Sequence, residues 1–575
     1  MSSLRSFLIV SLLAVSYLVF LRWQEYSAPK PVTAPAVAAA TQSPSDPALP
    51  AAASNSDIPS AAAAPASSQA DIPAPTLSSA SSGGQPLKVR TDLLEVTIDT
   101  LGGDLISAKL LKYPQTPKAK EPVEILKRNS TALYLAQNGL VSPDLPAPNH
   151  NTLWSLDTER GGNLISTLQA NQNELTVPLI WTDPSGLSVR KTYTFKRGSY
   201  EIAMRHEISN QGSAPYSVAE YRQLQRTPAP ASDHAFTSAE RYSYVGAAIY
   251  SPEEKFEKIR FEDMVDEPLN RDIVGGWMAT MQHYFIAAWI PPKDQINNYS
   301  SEQRNTDGPL RFRIRQVSPQ MVVEPGASKA FESRLFVGPK LQDVLPAVAP
   351  GLEYTVDYGI FTLISEPIFW LMNLIHGWFG NWGVAIILIT LLVKAAFFKL
   401  TEAQYKSSAK MRKLQPKIQA LQEKFGQDRA KVNEAMMELW KKEKVNPLGG
   451  CLPVLVQIPI FMGLYWVLLE SVEMRQAPFA FWIQDLSAKD PYFVLPILNG
   501  LAMFASSRLT PMPAGMDPLQ AKMLMYMPVM MSVMFAFFPA GLVLYWTVNS
   551  SLSLLQQWFI TKRIDAMDAR DLSKA

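Results

Sequence analysis

Between residues 382 and 557 the chain returns repeatedly to apolar runs about as long as a bilayer is thick, and this constrains the fold of its 575 residues more than any other feature. A spanning helix needs about 20 predominantly apolar residues. Lipid offers the backbone no hydrogen bonds, so a crossing segment must satisfy its own. Residues 382–400 form one such run and hold a single charge, Lys394; 451–469 and 492–507 follow. Residues 522–557 are too long for one crossing and break at Phe538-Pro539-Ala540-Gly541, giving spans at about 523–538 and 541–560. The stretch 401–448 carries 11 Lys/Arg against 6 Asp/Glu, which places it on the cytoplasmic side by the positive-inside rule. Residues 470–491 then form an outer loop, and 564–575 a cytoplasmic tail. Charged residues make up only 18% of the chain, against about a quarter in soluble domains.

The rest of the chain divides in three. Arg5 precedes an apolar run, 7–21, and Arg22-Trp23 follows with no small-x-small site close behind. Residues 1–26 therefore read as a retained signal anchor, N-terminus inside, which makes six spans in all. Residues 27–86 hold 11 Pro and only four charges, too little apolar surface to offset chain entropy, and read as an extended disordered tether. Residues 87–345 change to period-2 runs: 93–99 before the turn Thr100-Leu101-Gly102-Gly103, 188–195, 200–204 after Arg197-Gly198, and 311–315. Such runs predict antiparallel strands and a large β-sandwich outside the cytoplasm. The chain's single Cys excludes a disulfide framework there. Residues 346–380 are a linker and an apolar segment broken by Glu366-Pro367, read as an amphipathic helix in the outer interface.

Lys394 is the residue most pointed toward chemistry. A cation within a span costs about 3 kcal/mol on insertion scales, so it faces either a cavity or the interface. Six residues separate it from Leu400, roughly 9 Å of helix, which a snorkelling side chain nearly covers. Thr390, one turn earlier, shares its face. Gln457 lies mid-span between Pro453 and Pro459, and Tyr545, Asn549, Ser553 and Gln556 make a polar stripe on the last helix. Such residues either line a wet groove or bond helix to helix. Nine Met fall between 503 and 534, the composition of an adaptable apolar surface or of core filler. In 401–448, Met411, Leu414, Ile418, Leu421 and Phe425, then Val432, Met436 and Leu439, recur at helical spacing. They predict two short helices back to back, with Pro416 kinking the first or marking its start. Their basic face suits anionic phospholipids or ribosomal RNA, or merely sets topology.

No Gly-x4-Gly-Lys-Ser/Thr loop is present, His206-Glu207 lacks the second His of a zincin, and the five His show no ligand spacing. No enzymatic activity, metal or cofactor is expected, and a net charge of +2 argues against a DNA binder.

Five motifs in order carry a resemblance: Ala403-Gln404-Tyr405, Met411-Arg412-Lys413-Leu414-Gln415-Pro416-Lys417-Ile418, Lys444-Val445-Asn446-Pro447-Leu448-Gly449-Gly450-Cys451, Gln457-Ile458-Pro459-Ile460-Phe461 and Phe538-Pro539-Ala540-Gly541-Leu542-Val543-Leu544-Tyr545-Trp546. Residues 381–563 closely resemble the YidC/Oxa/Alb superfamily of membrane protein insertases, and the anchor, tether and outer β domain resemble its Gram-negative form. The resemblance implies an α-helical polytopic protein of the bacterial inner membrane. A five-helix insertase core with a cytoplasmic helical hairpin would accompany a periplasmic β-super-sandwich related to sugar-mutarotase folds.

It also implies site residues. Lys394 stands where the family usually has Arg, with Thr390, Gln457 and Trp546 in the same groove. Ile458, Phe461 and Met534 fall on the helices along which a client slides. Nascent membrane proteins, the Sec translocon and the ribosome are the implied partners. Lys keeps Arg's charge but loses its bidentate fork. Two alternatives from other classes remain at this point: a secondary transporter using Lys394 as substrate or proton site, and an envelope enzyme acting on glycans through its β domain.

Overall fold

The computed structural model describes residues 58–59 and 84–572, apart from 118, 130–131, 144, 229–242, 306–309, 427, 444–451 and 510–517. The expected signal anchor and nearly all of the tether lie outside the described residues. The rest forms two units, strands up to Val356 and helices from Asp357.

Strand alternation is fully realised in Leu187–Lys196, where Leu187, Val189, Lys191, Tyr193 and Phe195 are buried and the residues between them half-buried. Among the described residues the strands form an 11-stranded and a nine-stranded sheet. Their pairings are antiparallel apart from Pro86–Arg90 beside Ile165–Thr167. Side chains cross between the sheets. The Tyr134 hydroxyl donates to the Thr280 carbonyl at 2.9 Å, and the Asn138 amide donates to the Tyr193 hydroxyl at 2.9 Å. The two sheets thus face each other as a sandwich. The expected turn at 100–103 has Gly102 and Gly103 at φ +85° and +61°. A Cβ on Gly102 would lie 2.5 Å from the His150 carbonyl oxygen, so this position needs Gly for conformation and for space. The strand Arg311–Val317 departs from clean alternation: Arg313 is buried along with Phe312 and Ile314 and pairs with Glu302. It lies inside the larger sheet, between Ile296–Arg304 and Tyr216–Arg226.

Charge is also buried between the sheets. Lys191 and His206 are cross-strand neighbours on the smaller sheet. Lys191 Nζ lies 3.9 Å from the Asp104 carboxylate and donates to the Gly102 carbonyl at 2.9 Å. His206 Nδ1 meets Glu220 Oε1 at 2.8 Å, and Arg222 Nε donates to Glu220 Oε2 at 2.9 Å. All five side chains are fully buried. Burial pushes the Asp104 carboxyl up to about 7 despite Lys191, and pushes Lys191 down to about 8. Burial opposes the Glu220 charge too, but Arg222 and His206 outweigh it and hold Glu220 below its ordinary value.

The helical unit begins with α1, Thr362–Phe379. It buries Ser365, Phe369, Met372 and Ile375 and exposes Leu363, Trp370 and Trp378. Its exposed side is therefore also apolar, which fits a lipid-facing surface better than one turned to water. α2, Trp382–Ala396, is capped by the Asn381 side chain, which accepts from Val384 N at 3.1 Å. Phe397 then leaves helical geometry, and a bend of 62° leads into the next helix. The apolar pattern ran on to Leu400 because neither Pro nor Gly marks this break. α3, Phe398–Phe425, continues through Pro416. α4, Arg429–Lys442, is capped by Asp428. Leu414 and Ile418 are buried against Met411, Met436, Leu439 and Trp440, which joins α3 and α4 along the expected stripe. Four more helices follow: α5, Leu452–Glu470, α6, Val494–Leu509, α7, Pro518–Phe535, and α8, Ala540–Leu572. α8 extends well beyond the expected span, through residues read from sequence as a tail. α8 packs against α6, α2 and α3.

Among the described residues, Gly359–Phe379 alone is long and apolar enough to cross a membrane unaided. Trp382–Ala396 with Phe398–Met411 would suffice as a bent pair, and Val456–Glu470, Val494–Leu509 and Met525–Phe535 are apolar but shorter.

Candidate functional site

A polar network joins four helices of the helical unit around Lys394. Lys394 lies near the C-terminal end of α2, half-buried, and Nζ donates to Ser553 Oγ on α8 at 2.7 Å. Ser553 Oγ in turn donates to the Asn549 carbonyl one turn earlier, at 2.7 Å. The Asn549 side-chain oxygen receives the Gln457 amide of α5 at 3.4 Å. Tyr405, on α3, donates its hydroxyl to the Ser553 carbonyl at 3.2 Å. Lys394, Gln457, Asn549, Ser553 and Tyr405 are all half-buried, so the network is not sealed within the helices. Among the described residues no carboxylate lies within ion-pair distance of Lys394. Its positive charge is oriented but not neutralised.

The other expected site residues divide. Thr390 is buried and donates its hydroxyl to the Ile386 carbonyl of its own helix at 2.6 Å, so its polarity is spent locally. Trp546 lies seven residues before Ser553 on α8, two turns along the same face. Its ring is 5.0 Å from Phe461, stacked, and 3.6 Å from Phe535. It belongs to an aromatic cluster with Phe461 and Tyr545. Phe461 is thus part of that cluster, whereas Ile458 is 47% exposed and Met534 41% exposed. On α7, Met523, Tyr526, Met527, Met530, Val533 and Met534 recur at helical spacing and are all exposed. This excludes the core-filler reading for those four Met. Ser553, Asn549 and Tyr405 complete the network. The first two were visible only as part of the polar stripe, and Tyr405 only as part of a motif.

The described residues hold no group of His, Cys, Asp and Glu able to bind a metal. What the arrangement offers is a cation oriented in a polar network, with an exposed apolar helix face elsewhere in the same unit.

The comparisons with known proteins place the chain further. Residues 86–371 match the family described as YidC periplasmic domain, and 374–567 match 60Kd inner membrane protein. A membrane protein insertase YidC from Methylococcus capsulatus is 46% identical over 507 residues, covering 88% of this chain and 91% of the relative. One from Thioalkalivibrio sulfidiphilus is 43% identical, covering 98% and 99%. The crystal structure of an active YidC insertase with its first transmembrane domain resolved aligns over 82% of this chain and 94% of its own, at 18% identity and a TM-score of 0.36. This chain belongs to the YidC family, with a β-sandwich periplasmic domain and a helical membrane region.

Proposed function

We infer that this chain is a membrane protein insertase, and that it works through the polar network around Lys394. The single observation that supports the mechanism is the Lys394–Ser553 contact, which turns a cation inward with no carboxylate beside it. A client's short hydrophilic tail enters a groove open to cytoplasm and lipid, and Lys394 attracts its acidic groups. The client's apolar helix moves along Ile458 and the Met face of α7 into lipid. Its own burial, at about 25 cal/mol per Å² of apolar surface, drives release. The membrane potential adds roughly 2.3 kcal/mol per charge per 100 mV. No bond is made or broken, and no cofactor takes part.

The reading extends to topology and partners. Six spans with both termini cytoplasmic follow from the apolar runs and the basic 401–448 segment, with α1 in the outer interface. The basic hairpin α3–α4 meets anionic phospholipids and the ribosome, and the Sec translocon is a partner for larger clients. Family membership lends no support to the transporter alternative.

Reconstitution tests the function. The purified chain in liposomes should protect a single-span client with an acidic translocated tail from external protease, and protein-free liposomes should not. Equal protection in both would overturn the reading.

A further inference from the structure

Lys394 lies two residues from the end of α2 at Ala396, only about 3 Å of helix rise. A lysine so placed has an easy alternative, with its stem along the helix and its ammonium in the cytoplasmic interface. In the structure it turns to α8 instead. We propose that Ser553 is the positioning residue for Lys394, holding the ammonium in the groove while leaving its charge for the client; this rests on the groove reading above.

Three features support the assignment. Ser553 spends its own proton on the Asn549 carbonyl, so its oxygen presents lone pairs to Lys394 and acts as a fixed acceptor. A hydroxyl is neutral, so it orients the ammonium without neutralising it, and two of the three ammonium protons remain for a carboxylate. An Asp at this place would compete with the client. Finally, the Ser553 carbonyl takes the Tyr405 hydroxyl. The same residue thus fixes the first turns of α3, where the hairpin begins, to the helix that holds the cation. Ser553 thus links the start of the hairpin to Lys394 across the helix interface, in addition to the direct chain connection through Phe397.

The test compares two clients that differ only in tail charge, one acidic and one with each Asp replaced by Asn, inserted by the full-length protein in liposomes. The readout is the ratio of acidic-tail to neutral-tail insertion, which a loss of folded protein does not change. Lys394→Ala should bring the ratio close to one. Ser553→Ala should lower it by about tenfold, the lower end of what a lost hydrogen bond to a charged group costs. Ser553→Thr, which keeps the oxygen, should restore it, and Tyr405→Phe should lower it less than Ser553→Ala. If Lys394→Ala abolishes the preference but Ser553→Ala keeps it, the positioning role is wrong and the groove reading stands. If Ser553→Ala depresses both clients equally, Ser553 is merely structural. If Lys394→Ala itself leaves the ratio unchanged, the groove reading fails and the positioning role with it.

Discussion

The two units of this protein bury cations in opposite ways. In the β-sandwich, Lys191 and Arg222 are sealed from water and face Asp104 and Glu220. In the helical unit, Lys394 is half-buried and is oriented by a neutral hydroxyl. A sealed pair, whether it crosses between the sheets as Lys191–Asp104 does or lies along one strand as Arg222–Glu220 does, has no charge left to offer. A cation without a carboxylate adds little to stability but can attract one from another chain. The difference separates a charge used to specify structure from a charge held for use.

The largest effect that would sharpen the comparison is on stability. Glu220→Gln leaves Arg222 buried without its carboxylate, and should destabilise the sandwich by about 3–5 kcal/mol. Lys394→Met should change the stability of the helical unit by less than about 1 kcal/mol, because no buried charge is orphaned. Denaturant unfolding of each variant measures both. Equal losses would erase the distinction.

Next comes pH. The folded Asp104 carboxyl, raised to about 7, binds its proton more tightly than in the unfolded chain, where 3.8 is ordinary. Its contribution is fully present below about pH 4 and is lost as pH rises through about 7. Lys191, lowered to about 8, makes the opposite contribution above that pH. The stability of wild type relative to Asp104→Asn should therefore fall between about pH 4 and 7, as followed by thermal unfolding. A difference that rises over that window would show that the ionised pair stabilises more than its burial costs.

Smaller effects concern the helical unit. Phe461→Leu breaks the stack with Trp546 and should lower stability by about 1 kcal/mol, again read by unfolding. Thr390→Val should leave insertion within about twofold of wild type, since its hydroxyl bonds only to its own helix. A strong loss would return Thr390 to the groove.

Much of the fold is legible in the sequence because each layer writes its own period. Alternation over 188–195 becomes the strand Leu187–Lys196, and the 3-4 spacing from Met411 to Leu439 becomes the α3–α4 packing. Lys191 was not singled out in the sequence, although in the structure it shares the buried register of Leu187, Val189, Tyr193 and Phe195. The end of α2 was not legible, since Phe397 breaks the helix without a Gly or Pro signal. Nor was the Lys394–Ser553 contact, which joins residues 159 apart and depends on how α2 and α8 pack. The sequence placed Lys394 among polar residues on other spans; only packing shows that Ser553, not Thr390, holds it.

The central claim is that the charge of Lys394 acts on the charge of the client. The most direct measurement is a charge swap: Lys394→Glu in the reconstituted full-length protein, assayed by protease protection with acidic-tail and lysine-tail clients side by side. The account predicts that acidic-tail insertion falls by more than about tenfold, a like-charge reversal in a partly desolvated site, and that the lysine-tail client inserts better than with wild type. Equal loss of both clients, or of neither, would contradict it.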